Sequence, residues 1–210
     1  MKSVLLTGFA PFDREAMNPS WEAVRGFAGQ QIAEHAVEIL QLPVEFRRAR
    51  EQLIARLRTQ RPALVLCLGQ AGGRSSLALE RVAINLADAR IPDNAGSMPR
   101  GQTLVASAPA AFFAPLDLEP ARAALLAAGI PCEISLSAGS YVCNDVFYGL
   151  CLTQASALTE LRGTFVHIPY APEQVLDKPG VASMSLNLVQ RGLTALLEHL
   201  LTPERAGKRS

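Results

Sequence analysis

A cysteine and a histidine, each at the edge of a buried element, are the minimum equipment for thiol catalysis. Cys143 stands in Ser137-Ala138-Gly139-Ser140-Tyr141-Val142-Cys143-Asn144, where a run of small residues leads into an apolar stretch. The segment before it, Pro131-Cys132-Glu133-Ile134-Ser135-Leu136, alternates as a strand does. Strand, Gly-containing turn and helix place this sulfur at or near a helix N-terminus, where unpaired amides and the helix dipole favour a thiolate. His167 lies in Phe165-Val166-His167-Ile168-Pro169, at the end of another expected strand. A cysteine in an apolar segment is by itself more often core than catalytic. The Ala-Gly-Ser turn and the strand-end histidine favour the catalytic reading.

Three further segments carry residues suited to a site. Glu80 enters the apolar run Glu80-Arg81-Val82-Ala83-Ile84-Asn85. It is either half of a surface pair with Arg81 or the carboxylate that orients His167 and stabilises its imidazolium. Gly69-Gln70-Ala71-Gly72-Gly73-Arg74 follows an apolar strand, and its glycines let backbone approach a ligand. It matches neither a dinucleotide fingerprint nor a phosphate P-loop. A phosphate site and a loop donating amides to a ligand carbonyl both stay open. Gly8-Phe9-Ala10-Pro11-Phe12 follows the first expected strand, at the kind of strand end where open α/β sheets bind ligands. Its two phenylalanines read as packing residues or as walls of an apolar pocket, and the bare residues favour packing.

Short apolar runs alternate with amphipathic segments, the βαβ signature of a mostly parallel sheet covered by helices. Strands are expected over residues 3–7, 37–42, 64–68, 79–85, 132–136 and 164–168. Helices are expected over 19–28, 44–60, 118–128, 142–157 and 183–201. Asn18 caps the first of these and Pro19 suits its first position. The last carries Leu186, Val189, Leu193, Leu196, Leu197 and Leu200 at helical spacing, a stripe for packing on the sheet. Residues 87–115 hold Ile91-Pro92-Asp93-Asn94-Ala95-Gly96-Ser97-Met98-Pro99, which forms no regular element and reads as a loop over a site. The resulting fold is α/β: a single-domain α/β/α sandwich around a mostly parallel twisted sheet, with one catalytic domain over 1–201 and a disordered tail over 202–210.

Composition narrows the function classes. The chain has 210 residues, 49% of them hydrophobic, enough for one α/β domain with a sizeable core. With 20 basic and 19 acidic residues the net charge is +1, and no basic run points to nucleic acid. No stretch spans a bilayer, and the apolar part of Met1–Gly8 is too short for a signal peptide, so it reads as the first strand. Cys67, Cys132, Cys143 and Cys151 form no Cys-x-x-Cys pair, and His35, His167 and His199 are scattered, so no metal site is expected. Reduced thiols in a cytoplasm follow from the same reading. Cys67, Cys132 and Cys151 read as buried apolar residues.

Taken together, these segments resemble the pyroglutamyl-peptidase I (pyrrolidone-carboxylate peptidase) family of cysteine peptidases. The likeness runs through Thr7-Gly8-Phe9-Ala10-Pro11-Phe12 with Asn18-Pro19-Ser20, the Gly69–Arg74 segment, Glu80–Asn85, Arg90-Ile91-Pro92-Asp93-Asn94-Ala95-Gly96, the Ser137–Asn144 segment, and Phe165–Pro169 with Pro172-Glu173-Gln174. Six motifs in one order span nearly the whole chain. The resemblance implies a cytosolic exopeptidase that removes N-terminal pyroglutamate from peptides through a thioester, with a triad of Cys143, His167 and Glu80. It implies that Phe9, Phe12 and Tyr141 wall the pyroglutamate pocket, that backbone near Gln70 and Val142 holds the lactam, and that Arg90 stands close to the catalytic centre. It also implies a homo-oligomer, dimer or tetramer. Two departures touch affinity rather than chemistry. Tyr141 stands where relatives often have phenylalanine, so its hydroxyl needs a partner. Met98 stands where they are often polar.

The chemistry fits without metal or organic cofactor. Pyroglutamate is uncharged, so its pocket needs flat apolar walls and a few amide partners rather than a carboxylate. Two rival readings remain from the residues: a hydrolase or phosphorylase using residues 69–73 for phosphate, and a binding domain that kept the pocket without turnover.

Overall fold

The computed structural model describes residues 2–202. Of the tail expected over 202–210, Thr202 is the C-cap of the last helix and residues 203–210 lie outside the described residues. The elements, in chain order, are β1 (Ser3–Phe9), α1 (Pro19–Arg25), β2 (Gln31–Ile32), β3 (His35–Leu42), α2 (Arg48–Gln60), β4 (Leu64–Gln70), β5 (Leu77–Glu80), β6 (Val82–Ile84), β7 (Ala111–Phe113), α3 (Leu118–Ala127), β8 (Cys132–Ser135), α4 (Val142–Ser156), β9 (Arg162–Ile168) and α5 (Leu186–Leu201). Seven strands form one sheet in the order β2-β3-β1-β4-β9-β5-β8, and β6 pairs with β7 apart from it.

Strands β3, β1, β4 and β9 run parallel; β5 and β8 run parallel to each other but antiparallel to β9. The sheet is therefore mixed, with parallel pairs in the majority. Strands buried on both faces read as continuous apolar runs. One face is built from Val4, Leu6, Leu66, Leu68 and Val166 under α1, α3 and α5. The other is built from Leu5, Val65, Cys67 and Phe165 under α2 and α4. Each fully buried Leu, Val or Phe side chain contributes about 2 kcal/mol by removing apolar area from water. The second face carries the residues of the candidate site.

The entry to α1 pins the loop after β1. Asn18 Oδ1 accepts from the Ser20 amide at 3.1 Å, capping the helix, and Asn18 Nδ2 donates to the Ala10 carbonyl at 3.0 Å. Ser20 Oγ accepts from the Phe9 amide at 3.0 Å. A Cβ at Gly8 would lie 2.6 Å from the Ser20 carbonyl oxygen, so only glycine lets strand and helix come this close. α3 and α5 are capped by Asp117 and Ser185.

The expected helix 19–28 ends at Arg25, and the expected helix 183–201 begins at Leu186, behind its Ser185 cap. Three further differences have a tertiary reason. The expected helix from 44 begins at Arg48, because the amides of Phe46 and Arg47 donate to Asp93 Oδ2 (2.8 Å) and Asp145 Oδ2 (2.6 Å) instead. The expected strand 79–85 divides at Arg81: β5 belongs to the main sheet, and β6 leaves it to pair with β7. The expected loop 87–115 contains β7 and a bridge between Ala87 and Gln102.

Candidate active site

Glu80 ends β5 and His167 sits near the end of β9. In their antiparallel register Glu80 lies opposite Phe165 and Ala78 opposite His167, so the carboxylate and the imidazole are diagonal neighbours on one face. His167 Nδ1 and Glu80 Oε1 are 2.7 Å apart. A carboxylate only accepts, so Nδ1 is the donor in this contact, and Nε2 is the ring nitrogen that Glu80 leaves unengaged. Glu80 is 0% exposed and His167 5% exposed. Arg81, the alternative partner for Glu80, instead pairs with Glu119 at 3.0 Å.

On the other side of β9, Gly69 of β4 lies opposite His167 in the parallel register. A Cβ at Gly69 would fall 2.8 Å from Cys143 Sγ and 2.8 Å from the Phe165 ring. The sulfur therefore occupies the space left by the missing side chain, one strand spacing, about 5 Å, from the strand bearing His167. Gly72 makes room for the Tyr170 ring in the same way. The glycines at 69 and 72 thus make room for protein side chains.

Cys143 is the second residue of α4. Tyr141 precedes the helix in an extended conformation (φ −98°, ψ −167°) and gives it no side-chain cap, so no capping side chain claims the first amides. The next two residues lock this turn. Asn144 Oδ1 accepts from the Ile84 amide at 3.0 Å, and its Nδ2 donates to the carbonyls of Ile84 (2.8 Å) and Leu86 (3.0 Å). Buried Asp145 takes the Arg47 amide and Arg50 Nη1, each at 2.6 Å. Burial pushes the Asp145 carboxyl up, against the pull of Arg50.

The half-buried Cys143 thiol behaves differently from the sequence expectation. Burial pushes it up to about 12, the Glu80 charge adds to that, and its own backbone amide opposes. Desolvation thus works against the pull of the helix terminus.

A cavity of about 510 Å³ opens over these groups. Phe9, Phe12, Gln70, Arg90, Tyr141, Val142, Cys143 and His167 all line it. The buried Glu80 stands behind His167. Phe12 and Tyr141 have ring centroids 6.3 Å apart, and Phe46 meets Tyr141 edge-on at 5.3 Å. Phe9 serves packing as well, tilted 6.3 Å from Phe165. The Tyr141 hydroxyl donates to the Pro92 carbonyl at 3.0 Å, so the partner it needs is the 87–115 segment. That segment is also tied by the Asp88 amide to the Ser140 carbonyl (3.0 Å) and by Ser140 Oγ to the Asp88 carbonyl (2.7 Å). Met98 is 44% exposed and does not line the cavity. Among the described residues no group of three metal-ligating side chains assembles.

Residues that sequence reasoning passed over are Arg74, Phe46, Asn144, Asp145 and Tyr170. Only Asn144, directly after Cys143, carried a sequence signal.

An α/β sandwich that brings a thiol and a buried imidazole–carboxylate pair to one cavity has the layout of a cysteine hydrolase. A family model for pyroglutamyl peptidase matches residues 2–202. The pyrrolidone-carboxylate peptidase of Cupriavidus pinatubonensis is 47% identical over 205 residues, covering 97% of this chain and 95% of that protein. That of Gloeobacter violaceus is 48% identical over 197 residues, covering 94% and 96%. The crystal structure of pyroglutamyl peptidase I from Bacillus amyloliquefaciens superposes with a TM-score of 0.92 at 39% identity, covering 96% of this chain and 97% of that one. The chain belongs to the pyroglutamyl peptidase family, cysteine peptidases that remove N-terminal pyroglutamate.

Proposed function

We propose that this chain hydrolyses the bond after an N-terminal pyroglutamyl residue, with Cys143 as nucleophile, His167 as general base and acid, and Glu80 as the carboxylate orienting His167. The observation that carries this reading is the 2.7 Å contact between Glu80 and His167, buried behind the cavity onto which Cys143 opens. Glu80 holds Nδ1–H, and Nε2 takes the Cys143 proton as sulfur attacks the pyroglutamyl carbonyl. The oxyanion forms beside the Cys143 amide at the start of α4, with the Arg90 guanidinium on the same cavity wall. His167 returns the proton to the departing amine. Water, activated by His167, then cleaves the thioester and restores the thiol.

Phe9, Phe12 and Tyr141 are the walls for the flat lactam ring, with Arg90 near its scissile end. Backbone at Gln70 and Val142 provides the amide partners. Support comes from the strand register. Pairing of β4 with β1 ends at Thr7 and Cys67, whereas pairing with β9 continues to Gln70 and Ile168. The β1 side of Gln70 therefore has no strand partner. A prolyl ring lacks the lactam oxygen and would leave a donor unpaired, a penalty of about 1–3 kcal/mol.

The substrates proposed are peptides with N-terminal pyroglutamate. The location proposed is the cytoplasm, where four cysteines persist as thiols. The assembly proposed is a homo-oligomer, supported by exposed Phe113, Leu136 and Leu176 side chains suited to buried interfaces.

The test is release of a chromophore from a pyroglutamyl anilide, with and without prior iodoacetamide. Activity lost on alkylation and in Cys143→Ala, and absent on a prolyl anilide, is the expected result. Full activity in Cys143→Ala, or phosphate-dependent turnover indifferent to alkylation, would overturn the reading. Binding of pyroglutamate without any turnover would make the chain a binding domain.

A further inference from the structure

We infer that Arg74 is a positioning residue for the reaction, its guanidinium supplying the countercharge that holds the buried Glu80 carboxylate against His167. This inference rests on the reading of Glu80, His167 and Cys143 given above.

Glu80 has one oxygen on His167 Nδ1, while its other oxygen, Oε2, is buried with no hydrogen-bond partner. A carboxylate out of water needs an opposite charge close by. The groups that face it are few. His167 comes from β9 and Cys143 from α4, and neither side chain is a permanent cation. β8 brings Ser135, which is opposite Glu80 in the register, and Glu133, which is opposite Ala78. The loop between β4 and β5 brings Arg74. Its Nη2 lies 3.5 Å from Glu80 Oε1, the one permanent cation among the described residues paired with this carboxylate.

At 3.5 Å the contact is beyond a good hydrogen bond, so it acts through charge. Two other contacts hold the guanidinium in place. Nη2 donates to Ser135 Oγ at 3.2 Å, and Nη1 donates to Glu133 Oε1 at 2.7 Å. Glu133 is 52% exposed at its side chain, so water screens its charge far more than that of Glu80, which has no exposure. The loop reaches this place through Gly73, whose φ of +87° favours glycine.

Without the cation, Glu80 would be a buried carboxylate with no permanent opposite charge beside it and one oxygen unpaired, and nothing would hold it in the place from which it accepts from Nδ1. The imidazole would lose the contact that fixes its tautomer and orientation towards the sulfur.

The experiment measures kcat and KM on a pyroglutamyl anilide for wild type, Arg74→Met, Arg74→Gln, Arg74→Lys, Glu80→Gln, and Arg74→Met in the Glu80→Gln background. Arg74→Met and Arg74→Gln are expected to lower kcat about tenfold or more with KM within about twofold. Arg74→Lys, which keeps the charge, recovers most of that loss. In the Glu80→Gln background, Arg74→Met is expected to change kcat less than about threefold, because the group it serves is gone. Arg74→Gln keeps donors for Glu133 and Ser135 and serves if the Met variant does not fold. Equal losses in both backgrounds, a loss confined to KM, no loss, or no recovery with Lys would each overturn the inference. An inactive wild type would instead sink the peptidase reading, whereas an active wild type with unaltered Arg74 variants sinks this inference alone.

Discussion

The sulfur of Cys143 fills the space where a side chain at Gly69 would stand, 2.8 Å from the position of its Cβ. Gly69 is opposite His167 across β4 and β9. Glycine at this position therefore serves the approach of sulfur to imidazole, and its own backbone freedom is secondary. Gly69→Ala should displace the sulfur, the Phe165 ring or both. Overpacking of this kind destabilises by about 1–3 kcal/mol, and a misplacement of about 1 Å lowers turnover about 100-fold. Kinetics and thermal melting of the variant check this. A fully active, fully stable Gly69→Ala protein would mean that the sulfur has room elsewhere.

Glu80 and His167 should differ in their consequences. His167→Ala removes the proposed base and should lower kcat by about 100-fold to 10,000-fold. Glu80→Gln keeps a hydrogen-bonding group of the same size beside Nδ1 and should lower it less. Steady-state rates on a pyroglutamyl anilide rank the two. The reverse order would mean that Glu80 does more than orient the ring.

The Cys143 thiol lies at about 12, so only a small fraction is thiolate near neutral pH. Below that value the thiolate fraction rises about tenfold for each pH unit. Alkylation of the free enzyme by iodoacetamide should climb steadily from about pH 6 to about pH 9 without a plateau. Peptide mapping of Cys143 at several pH values provides the rate. A plateau beginning in the acid range would indicate a preformed thiolate–imidazolium pair.

Cys67 and Cys151 are buried thiols raised by desolvation from 9.0 to about 12. The folded state holds protons that the unfolded chain releases above about pH 9. The stability contributed by the neutral thiols is thus complete below 9.0 and declines as pH rises from there towards about 12. Denaturant midpoints should fall between about pH 8 and about pH 10, and fall less in Cys67→Ala/Cys151→Ala. An equal decline in the double variant would assign the effect to other groups.

The residues that announced themselves did so through local chemistry. Cys143 follows a Gly-containing turn before an apolar helix, His167 ends an apolar strand, and Glu80 interrupts one. The parallel core of the sheet and its covering helices were legible in the alternation of apolar runs. What escaped depends on partners far along the chain. The Leu79–Asn85 run reads as one strand because its apolar character continues through Arg81. Only the pairing of β5 with β8 and β9, and of β6 with β7, divides it. The late start of α2 comes from two carboxylates, Asp93 and Asp145, taking its leading amides. Arg74 looked like the end of a glycine loop, and its place beside Glu80 exists only once β5 lies between β9 and β8.

The central claim is that the Cys143 sulfur carries the pyroglutamyl group between the two halves of the reaction. Rapid acid quenching during turnover of a pyroglutamyl ester, followed by mass analysis of the protein and its peptides, tests this directly. A transient mass increase of one pyroglutamyl group, located on Cys143 and lost on longer incubation, is the expected result. Turnover at an undiminished rate with no such adduct, or with the adduct on another residue, would contradict it.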